Sequence, residues 1–481
     1  MDRLSGLDAS FLYFETGTNL LHVCGLLQLD TSTMPDGYEF DRLRESLRER
    51  IGGNPAFRRK VHDHLFNLDH PVWVDDEHFD IEHHVRRVTV SPPGDRAKLA
   101  DVCADIAGQP LDRSRPLWEM WVIEGLADGS IAVMTKMHHA TVDGVSGASL
   151  VSELCSLEPG APPITAGAPK PAPAPRPSDR RIIADGAFRL AKRPVKFAKL
   201  LGPTVGVLPE WINRARRGAA MPAPFTAPRT SFNGTITGHR SVAFVRLDLD
   251  VVKEVKNAFG CTVNDVVLTM CSGALRKYLE DRNELPDSSL VAMVPVSVHG
   301  KTTAPGTNKV SGMFSLLASD IADPVERLAA IAEQNRVAKD HHKTISASIL
   351  QDWAQFAAPN TFALAVRLYS KLRLAERHPV IHNLVISNVP GPPLPIYFLG
   401  ARITGFYPFG PVFDGAGLNI TVISNDGHLD VGLIACRELA PQLWELADDM
   451  PIALGALLSA ARAGSSPKRR RQAAPAETSP R

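Results

Sequence analysis

Short apolar runs alternate along this chain with segments of helical periodicity. In the first part the pattern predicts a strand at His22–Asp30, a helix at Glu39–Ile51, and a hairpin whose strands cover Pro116–Leu126 and Ile131–His139. Two more helices are predicted, over "AKLADVCADIAGQPLD" and over "GVSGASLVSELCSL". The alternation of strands and helices indicates a globular protein with mixed secondary structure.

The second half repeats this pattern. A strand is predicted at His239–Asp250, with helices near Asn264–Glu280, Asp323–Lys339 and Pro441–Ala461. Further strands are predicted at "LVAMVPVSV", "GMFSLLAS" and "HNLVISNV", and a hairpin at "GLNITVIS" and "HLDVGLIAC" with an Asn-Asp-Gly turn.

A run of prolines and alanines separates the two halves, because repeated prolines disfavour both helix and sheet. We expect an N-terminal domain over residues 1–160 and a linker with a basic crossover over 161–235. A C-terminal domain is expected over 236–462, followed by a disordered tail over 463–481.

Composition excludes several classes of protein. The 481 residues are 44% hydrophobic and carry a net charge of +1, which disfavours a nucleic-acid-binding role. The six cysteines show no paired spacing, so we expect reduced thiols in the cytoplasm. The acidic start does not resemble a signal peptide, and no apolar run reaches the roughly 18 residues of a spanning helix, so membrane contact is expected to be peripheral.

One local segment is basic. Asp179–Gly218 contains ten Lys or Arg residues and three acidic residues, interleaved with large apolar side chains. Such a segment can lie on an anionic membrane surface, or it can be a crossover helix with a solvated basic face. The residues predicted to contact a membrane are Arg189, Lys192, Arg193, Lys196, Phe197 and Lys199.

The stretch "TKMHHATVDGVSG" carries the strongest chemical signal. Adjacent histidines occur three times in the chain, but only the pair His138-His139 is followed by an aspartate and a glycine, Asp143 and Gly144. A metal site is disfavoured because neither a His-Glu-x-x-His motif nor a cysteine partner is present.

Two interpretations of this stretch stay open on spacing alone. Asp143 could simply cap the following helix. Alternatively, a histidine at a strand end could act as a general base, because its ordinary pKa of about 6.5 suits proton abstraction at neutral pH. No serine or cysteine lies in a nucleophile elbow, which favours direct attack by a substrate hydroxyl.

Several stretches together resemble one family. "HHATVDG" resembles the HHxxxDG signature of acyltransferases with the chloramphenicol-acetyltransferase-like fold. "LSGLDASFLYFE", "FDIEHHVRR", "RPLWEMWVIEGL", "TVNDVVLTMCSGALRKYL" and "NLVISNVPGP" narrow this to the bacterial wax ester synthase/diacylglycerol acyltransferase (WS/DGAT) family, over Leu4 to about Leu458.

The resemblance implies an α+β fold of two chloramphenicol-acetyltransferase-like domains, each a mixed sheet with flanking helices, with the active-site channel between them. It implies transfer of a long acyl chain from acyl-CoA, a co-substrate, to diacylglycerol or a fatty alcohol, without a metal or other cofactor. His139 would be the base, His138 and Asp143 its supports, and Gly144 the spacer that admits substrate.

Family patterning also marks residues in the second half as candidates for lining the channel: Asn264, Asp265, Ser387 and Asn388. Each has a structural alternative. Asn264 could cap a helix whose dipole Asp265 complements, and Ser387 and Asn388 could have a structural role in a loop. Trp118 in "PLW" is more simply explained as a buried core residue.

The expected activity is synthesis of triacylglycerol, with the protein in the cytoplasm at the inner face of the plasma membrane or on lipid droplets. A wax ester synthase that prefers fatty alcohols is one alternative, and a condensation-type enzyme that takes acyl groups from carrier proteins is another. A lipid-binding or lipid-droplet coat protein without catalytic activity is an alternative of a different class.

Overall fold

Two large mixed β-sheets with flanking helices make up the protein. The computed structural model describes residues 2–51, 54–63, 69–141, 154–161, 178, 180–189, 222, 225–297, 310–344 and 359–464. Within these residues the two sheets have seven and six strands, and a third sheet has three. Most of the linker and residues 465–481 of the predicted tail lie outside the described residues, as do Asp143, Gly144 and every predicted membrane-contact residue except Arg189. The disorder predicted from residue 463 is wrong for residues 463 and 464, which end a helix.

The first large sheet is built mainly from the N-terminal half. Its strands, in spatial order, are β5 (Val85–Thr89), β6 (Trp118–Glu124), β7 (Ile131–His138), β2 (His22–Asp30), β14 (Ala401–Phe409), β13 (Tyr397–Phe398) and β8 (Cys155–Ser156). A smaller sheet beside it contains β1 (Asp2–Arg3), β4 (Val72–Asp75) and β3 (Arg59–His62).

Both faces of this sheet are covered. Helix α2 (Phe40–Ile51) packs on one face, where Leu27 and Leu29 of β2 point. Helix α3 (Arg96–Ala107) packs on the other face with Cys24 and Leu26. Alternate residues of β2 therefore serve opposite cores, which explains why the strand is apolar almost throughout. Helix α1 (Gly6–Phe14) precedes β2 and begins at Ser5, whose Oγ accepts the N–H of Asp8 at 3.1 Å.

The second large sheet belongs to the C-terminal half. Its strands, in spatial order, are β11 (Val310–Leu316), β10 (Val291–Ser297), β12 (Leu384–Val389), β15 (Leu418–Asn425), β16 (His428–Cys436) and β9 (Arg240–Asp248). Among the described residues, the helices of this half are α4 (Leu249–Phe259), α5 (Val263–Glu280), α6 (Pro324–Thr344), α7 (Pro359–Lys371) and α8 (Leu443–Gly464). No single helix among the described residues has the length and apolarity of a membrane span, although the bent pair α4 and α5 passes on length and composition.

Most predicted elements are confirmed, and two expectations are wrong. The strand predicted to run to Asp250 ends at Asp248, because the Asp248 carboxylate accepts the N–H of Asp250 and begins α4. The helix predicted after the histidines does not include Cys155 and Ser156, which pair with β13 as a strand. Residues 142–153 of that helix lie outside the described part of the chain.

Strand β14, which the apolar pattern did not predict, connects the two halves. It lies within the predicted C-terminal domain but pairs antiparallel with β2, with Phe406 opposite Leu27. β14 also contacts the second large sheet through Asp430 of β16, which is fully buried and accepts the N–H of Phe406 at 2.8 Å. The Asp430 carboxylate also accepts two hydrogen bonds from Arg246, at 2.6 and 2.8 Å.

Replacing Asp430 should destabilise the whole fold. Asp430→Ala leaves the Arg246 guanidinium and the Phe406 N–H without their acceptor, so we expect the free energy of unfolding to fall by about 3 kcal/mol or more. Denaturant unfolding followed by circular dichroism measures this. The exposed pair between Glu254 and Arg462 provides the control, since Glu254→Ala should change stability by less than about 1 kcal/mol. Equal losses in the two variants would contradict the anchoring role of Asp430.

Candidate active site

The end of β7 and the residue after it place the two histidines between two neighbouring segments. The backbone N–H of His138 donates to the carbonyl of Leu117 at 3.0 Å. The N–H of His139 donates to the carbonyl of Leu21 at 2.8 Å, on the opposite side of the strand. Because each backbone is fixed from a different side, the end of β7 has little freedom to shift.

The ring of His138 is fully buried and stabilises the turn that follows. Its Nδ1 accepts the N–H of Ala140 at 3.0 Å, and its carbonyl accepts the N–H and hydroxyl of Thr141 at 2.9 and 2.7 Å. A neutral imidazole whose Nδ1 accepts must carry its proton on Nε2. That Nε2 lies 3.7 Å from Oε1 of Glu15.

Glu15, at the end of α1, is the charged centre of this region. Its Oε1 lies 3.3 Å from Nε2 of His22, and its Oε2 accepts a hydrogen bond from Nε of Arg113 at 2.9 Å. Burial acts to raise the pKa of the Glu15 carboxyl. The interactions with His138 and His22 and the Arg113 charge outweigh burial and hold that pKa far below its usual range. Glu15 is therefore a carboxylate at neutral pH.

His22 lies opposite His138 in the β2–β7 pairing. Burial lowers the pKa of His22 to about 4, although the Glu15 carboxylate acts in the opposite direction. The imidazole is consequently neutral at pH 7. The Glu15 carboxylate thus lies beside a neutral His22 and the His138 ring, with Arg113 supplying the compensating positive charge.

His139 is half-buried and packs against α1. Its ring stacks on Phe11, with centroids 4.1 Å apart and an angle of 23° between the planes. Phe11 and Glu15 are four residues apart, which is about one helical turn. The end of α1 therefore fixes both histidines at once, His139 through Phe11 and His138 through Glu15.

A buried ion pair lies on the same face of β7 as His138. Lys136 is fully buried, and its ammonium donates to the carbonyl of Ile106 at 3.0 Å and to Glu119 at 3.3 Å. Glu119 is directly opposite Lys136 on β6. Such a pair contributes little net stability but strongly opposes a shift in strand register, because either charge would then be buried alone.

The candidates from the second half fall into two groups. The N-cap of α5 is Thr262, so the expectation that Asn264 caps this helix is wrong. Asp265 is buried and completes the cap, accepting the N–H and hydroxyl of Thr262 at 2.9 and 2.7 Å. It also accepts the amide of Asn335 at 2.7 Å. These contacts support the structural alternative for Asp265, because both its carboxylate oxygens are occupied within the protein.

Asn264, Ser387 and Asn388 are half-buried instead. The side-chain amide of Asn388 lies 3.5 Å from Oδ1 of Asn264, so the start of α5 and the end of β12 meet. The next residue, Val389, packs against the apolar cluster that contains Met137 and Trp118 of the first sheet. The structure therefore brings this amide pair to the contact between the halves.

A second histidine doublet provides a comparison within the chain. His84 is buried and stacks on Trp118 at 4.4 Å, and its Nδ1 lies 2.8 Å from the Trp118 carbonyl. His83 is exposed. Trp118 itself is buried, as expected for a core residue. This doublet serves packing, whereas His138 and His139 face Glu15 and Phe11.

Sequence reasoning did not identify Glu15, His22, Phe11 or Arg113. The available signal was the family-like stretch "LSGLDASFLYFE", which contains both Phe11 and Glu15. Among the described residues, no group of three or more His, Cys, Asp or Glu side chains is arranged to hold a metal ion.

The chain matches two family models along most of its length. Residues 4–267 match the wax ester synthase/diacylglycerol acyltransferase catalytic domain, and residues 306–457 match the WS/DGAT C-terminal domain. The chain belongs to the WS/DGAT family. The family predicted from the residues is thereby confirmed, together with its acyltransferase class.

Relatives and solved structures agree with this assignment. A putative diacylglycerol O-acyltransferase of Mycobacterium tuberculosis is 49% identical over 460 residues, covering 95% of this chain and 90% of the relative. A probable diacylglycerol O-acyltransferase of the same species is 37% identical, covering 93% and 96%. The wax ester synthase/diacylglycerol acyltransferase of Marinobacter aquaeolei VT8 is 32% identical with a TM-score of 0.69, covering 96% and 100%.

A condensation domain of the calcium-dependent antibiotic synthetase shares the fold alone. Its TM-score is 0.54 at 15% identity, over 95% of both chains. The predicted fold of mixed sheets with flanking helices in two acyltransferase-like domains is confirmed by this likeness and by the Marinobacter structure.

Glu15 should be required for full activity as a positioning residue. Glu15→Gln removes the charge beside His138 and His22, so we expect kcat to fall by roughly 10- to 100-fold through misplacement of the histidine turn, with a smaller effect on KM. Initial rates against acyl-CoA concentration measure both constants. Glu45→Gln, which alters the exposed pair between Glu45 and Arg48, is the matched control. Unchanged kcat in Glu15→Gln, with an intact fold, would exclude this role.

Proposed function

We propose that this protein transfers a long acyl chain from acyl-CoA to the free hydroxyl of diacylglycerol, with His139 as the general base. The observation that carries the proposal is the placement of His139. It stands at the end of β7 in "HHATVDG", fixed by its hydrogen bond to Leu21 and its stack on Phe11. The names of the relatives support diacylglycerol as the acceptor.

The reaction needs one proton transfer at each end. The neutral imidazole of His139 takes the proton of the acceptor hydroxyl while the oxygen attacks the thioester carbonyl. A tetrahedral oxyanion forms and collapses with cleavage of the carbon–sulfur bond. CoA leaves as a thiol, protonated by the His139 imidazolium. Acyl-CoA is a co-substrate here, and these steps use neither a metal nor a prosthetic group.

The environment of His138 favours this chemistry. The Glu15 carboxylate lies 3.7 Å from Nε2 of His138, the residue next to His139. Its negative charge favours the positive charge that develops on His139 during attack. His138 itself remains a structural support, because its Nδ1 is used by the Ala140 N–H. We propose Asp143 as a second support and Gly144 as the spacer beside the base.

Asn264, Ser387 and Asn388 are proposed to line the substrate channel. Their half-burial at the contact between the two halves supports this role. For Asp265 we propose an indirect contribution, since its carboxylate fixes the start of α5 and with it Asn264. The division into domains at residues 1–160, 161–235 and 236–462 is kept as a proposal, with β14 as the segment that links the domains.

Long acyl products are almost insoluble, so we propose that the protein acts in the cytoplasm at the inner face of the membrane or at a lipid droplet. Basic residues 192–199 remain candidates for this contact. Arg189 lies 3.0 Å from Asp185 and 3.8 Å from Asp69. These ion pairs favour a structural role for Arg189 within the protein over contact with a membrane.

His139→Ala should abolish transfer. Loss of a general base lowers the rate by roughly 10²- to 10⁴-fold, while the fold should persist because the backbone bond to Leu21 is retained. Release of free CoA thiol in the presence of diacylglycerol measures turnover. His83→Ala, at the exposed histidine of the His83-His84 doublet, is the matched control and should remain active. Near-normal turnover in His139→Ala would refute the mechanism. A wild-type protein that binds lipid without turnover would favour the coat-protein alternative.

Acceptor preference separates the proposed function from its nearest alternative. The name of the Marinobacter structure includes wax ester synthase, so fatty alcohol is the competing acceptor. We expect labelled acyl-CoA to yield triacylglycerol at a higher kcat/KM than it yields wax ester from hexadecanol. A higher kcat/KM for hexadecanol would identify a wax ester synthase. Transfer from an acyl carrier protein but not from acyl-CoA would identify a condensation-type enzyme.

A further inference from the structure

Helix α7 exposes a stripe of leucines. Leu364, Leu368 and Leu372 are 57%, 45% and 50% exposed, and they follow one another at intervals of four residues. Residues at this spacing lie on one face of a helix. The helical turn continues to the last leucine, because the N–H of Leu372 donates to the carbonyl of Leu368 at 2.9 Å. We call these three residues the α7 leucine stripe.

The opposite face of α7 is held firmly by the protein. The ring of Phe362 packs edge-on against Phe14 of α1 at 4.8 Å. The hydroxyl of Ser370 accepts the side-chain amide of Asn19 at 3.0 Å and donates to Asp414. The leucine stripe is therefore presented to solvent by a helix in a fixed orientation, which costs apolar hydration without any compensating contact in the described chain.

Positively charged side chains lie next to the leucines along this segment. Helix α7 contains no Asp or Glu, while Arg367 and Lys371 are exposed between the leucines. The segment just after the helix contains two arginines, Arg373 and Arg377, and one acidic residue, Glu376. An apolar face flanked by cations suits a surface that is apolar inside and anionic outside.

We propose that the α7 leucine stripe docks on a phospholipid bilayer with anionic head groups. The leucines would enter the boundary of the acyl chains while Arg367 and Lys371 contact the head groups. A second copy of the chain fits less well. In a two-fold symmetric pairing of the stripe, the same basic residues of both copies would face one another.

This docking rests on the proposed function and specifies how the acceptor reaches the site. Diacylglycerol resides in a lipid phase. The path from the stripe to the base is short, because α7 contacts Phe14 and the same helix α1 places Phe11 on His139. Docking through α7 therefore holds the histidine-bearing end of the first sheet next to the lipid that supplies the acceptor.

The decisive variant is Leu364→Gln/Leu368→Gln/Leu372→Gln in the full chain. Glutamine keeps helix propensity, and the positions are exposed, so the fold should persist. Partition onto vesicles of phosphatidylcholine with a minor fraction of phosphatidylglycerol should fall roughly 10- to 100-fold, because the apolar area that enters the lipid is lost. The matched control is Leu157→Gln/Ile452→Gln, which removes two exposed apolar residues elsewhere and should bind like wild type.

A charge variant tests the basic component. Arg367→Gln/Lys371→Gln should weaken binding to the anionic vesicles roughly tenfold at low salt and leave the weak binding to pure phosphatidylcholine unchanged. Unaltered vesicle binding in the triple leucine variant would overturn the proposal. A wild-type dimer that becomes monomeric in that variant, with vesicle binding unchanged, would also overturn it and identify a second copy as the occupant.

Activity assays separate this inference from the proposed function. The triple leucine variant should lose transfer to diacylglycerol presented in vesicles but keep transfer to a short-chain diacylglycerol dissolved in water. His139→Ala should bind vesicles like wild type. If the wild-type protein transfers acyl groups to neither acceptor while the stripe variant still loses vesicle binding, docking stands and the proposed function fails.

Discussion

The backbone pairing of β14 with β2 is the constraint on which the rest of the structure depends. β2 lies between β14, contributed by the second half, and β7, which ends at His138. The hydrogen bonds of β2 therefore hold the histidine strand on one side and the second half on the other. Asp430 secures this arrangement, since a buried carboxylate must keep both Arg246 and the Phe406 N–H as partners.

The pocket around Glu15, His22 and His138 likewise depends on a buried carboxylate that keeps its partners. Glu15, whose carboxylate lies beside His138 and His22, stays charged because Arg113 and the two rings compensate for its burial. This carboxylate determines the tautomer that suits His138, and the Ala140 N–H selects the same tautomer. Two independent contacts thus agree on one proton position, which makes the turn that carries His139 well defined.

Local pattern was sufficient where an element's environment is uniform along its length. The predicted bounds of β2 match the structure because the strand is buried on both faces. β14 escaped prediction because Gly405 lies at an irregularity of the ladder and Pro408 interrupts the run. Pro408 is tolerated because β13 pairs only with the first two residues of β14. The histidine motif could be identified from the sequence. The role of Glu15 could not, because its position beside His138 depends on how α1 packs against the end of β7.

A single short helix joins surface and site in this fold. α1 stacks Phe11 on His139, ends at the carboxylate beside His138, and supports α7 through Phe14. Ser370 of α7 also bonds to Asn19 and Asp414, and Asn19 lies just before β2, so contacts link α7 to the start of β2. The packing of α1 that positions the base therefore also orients the exposed leucines, so a shift of α1 would displace both.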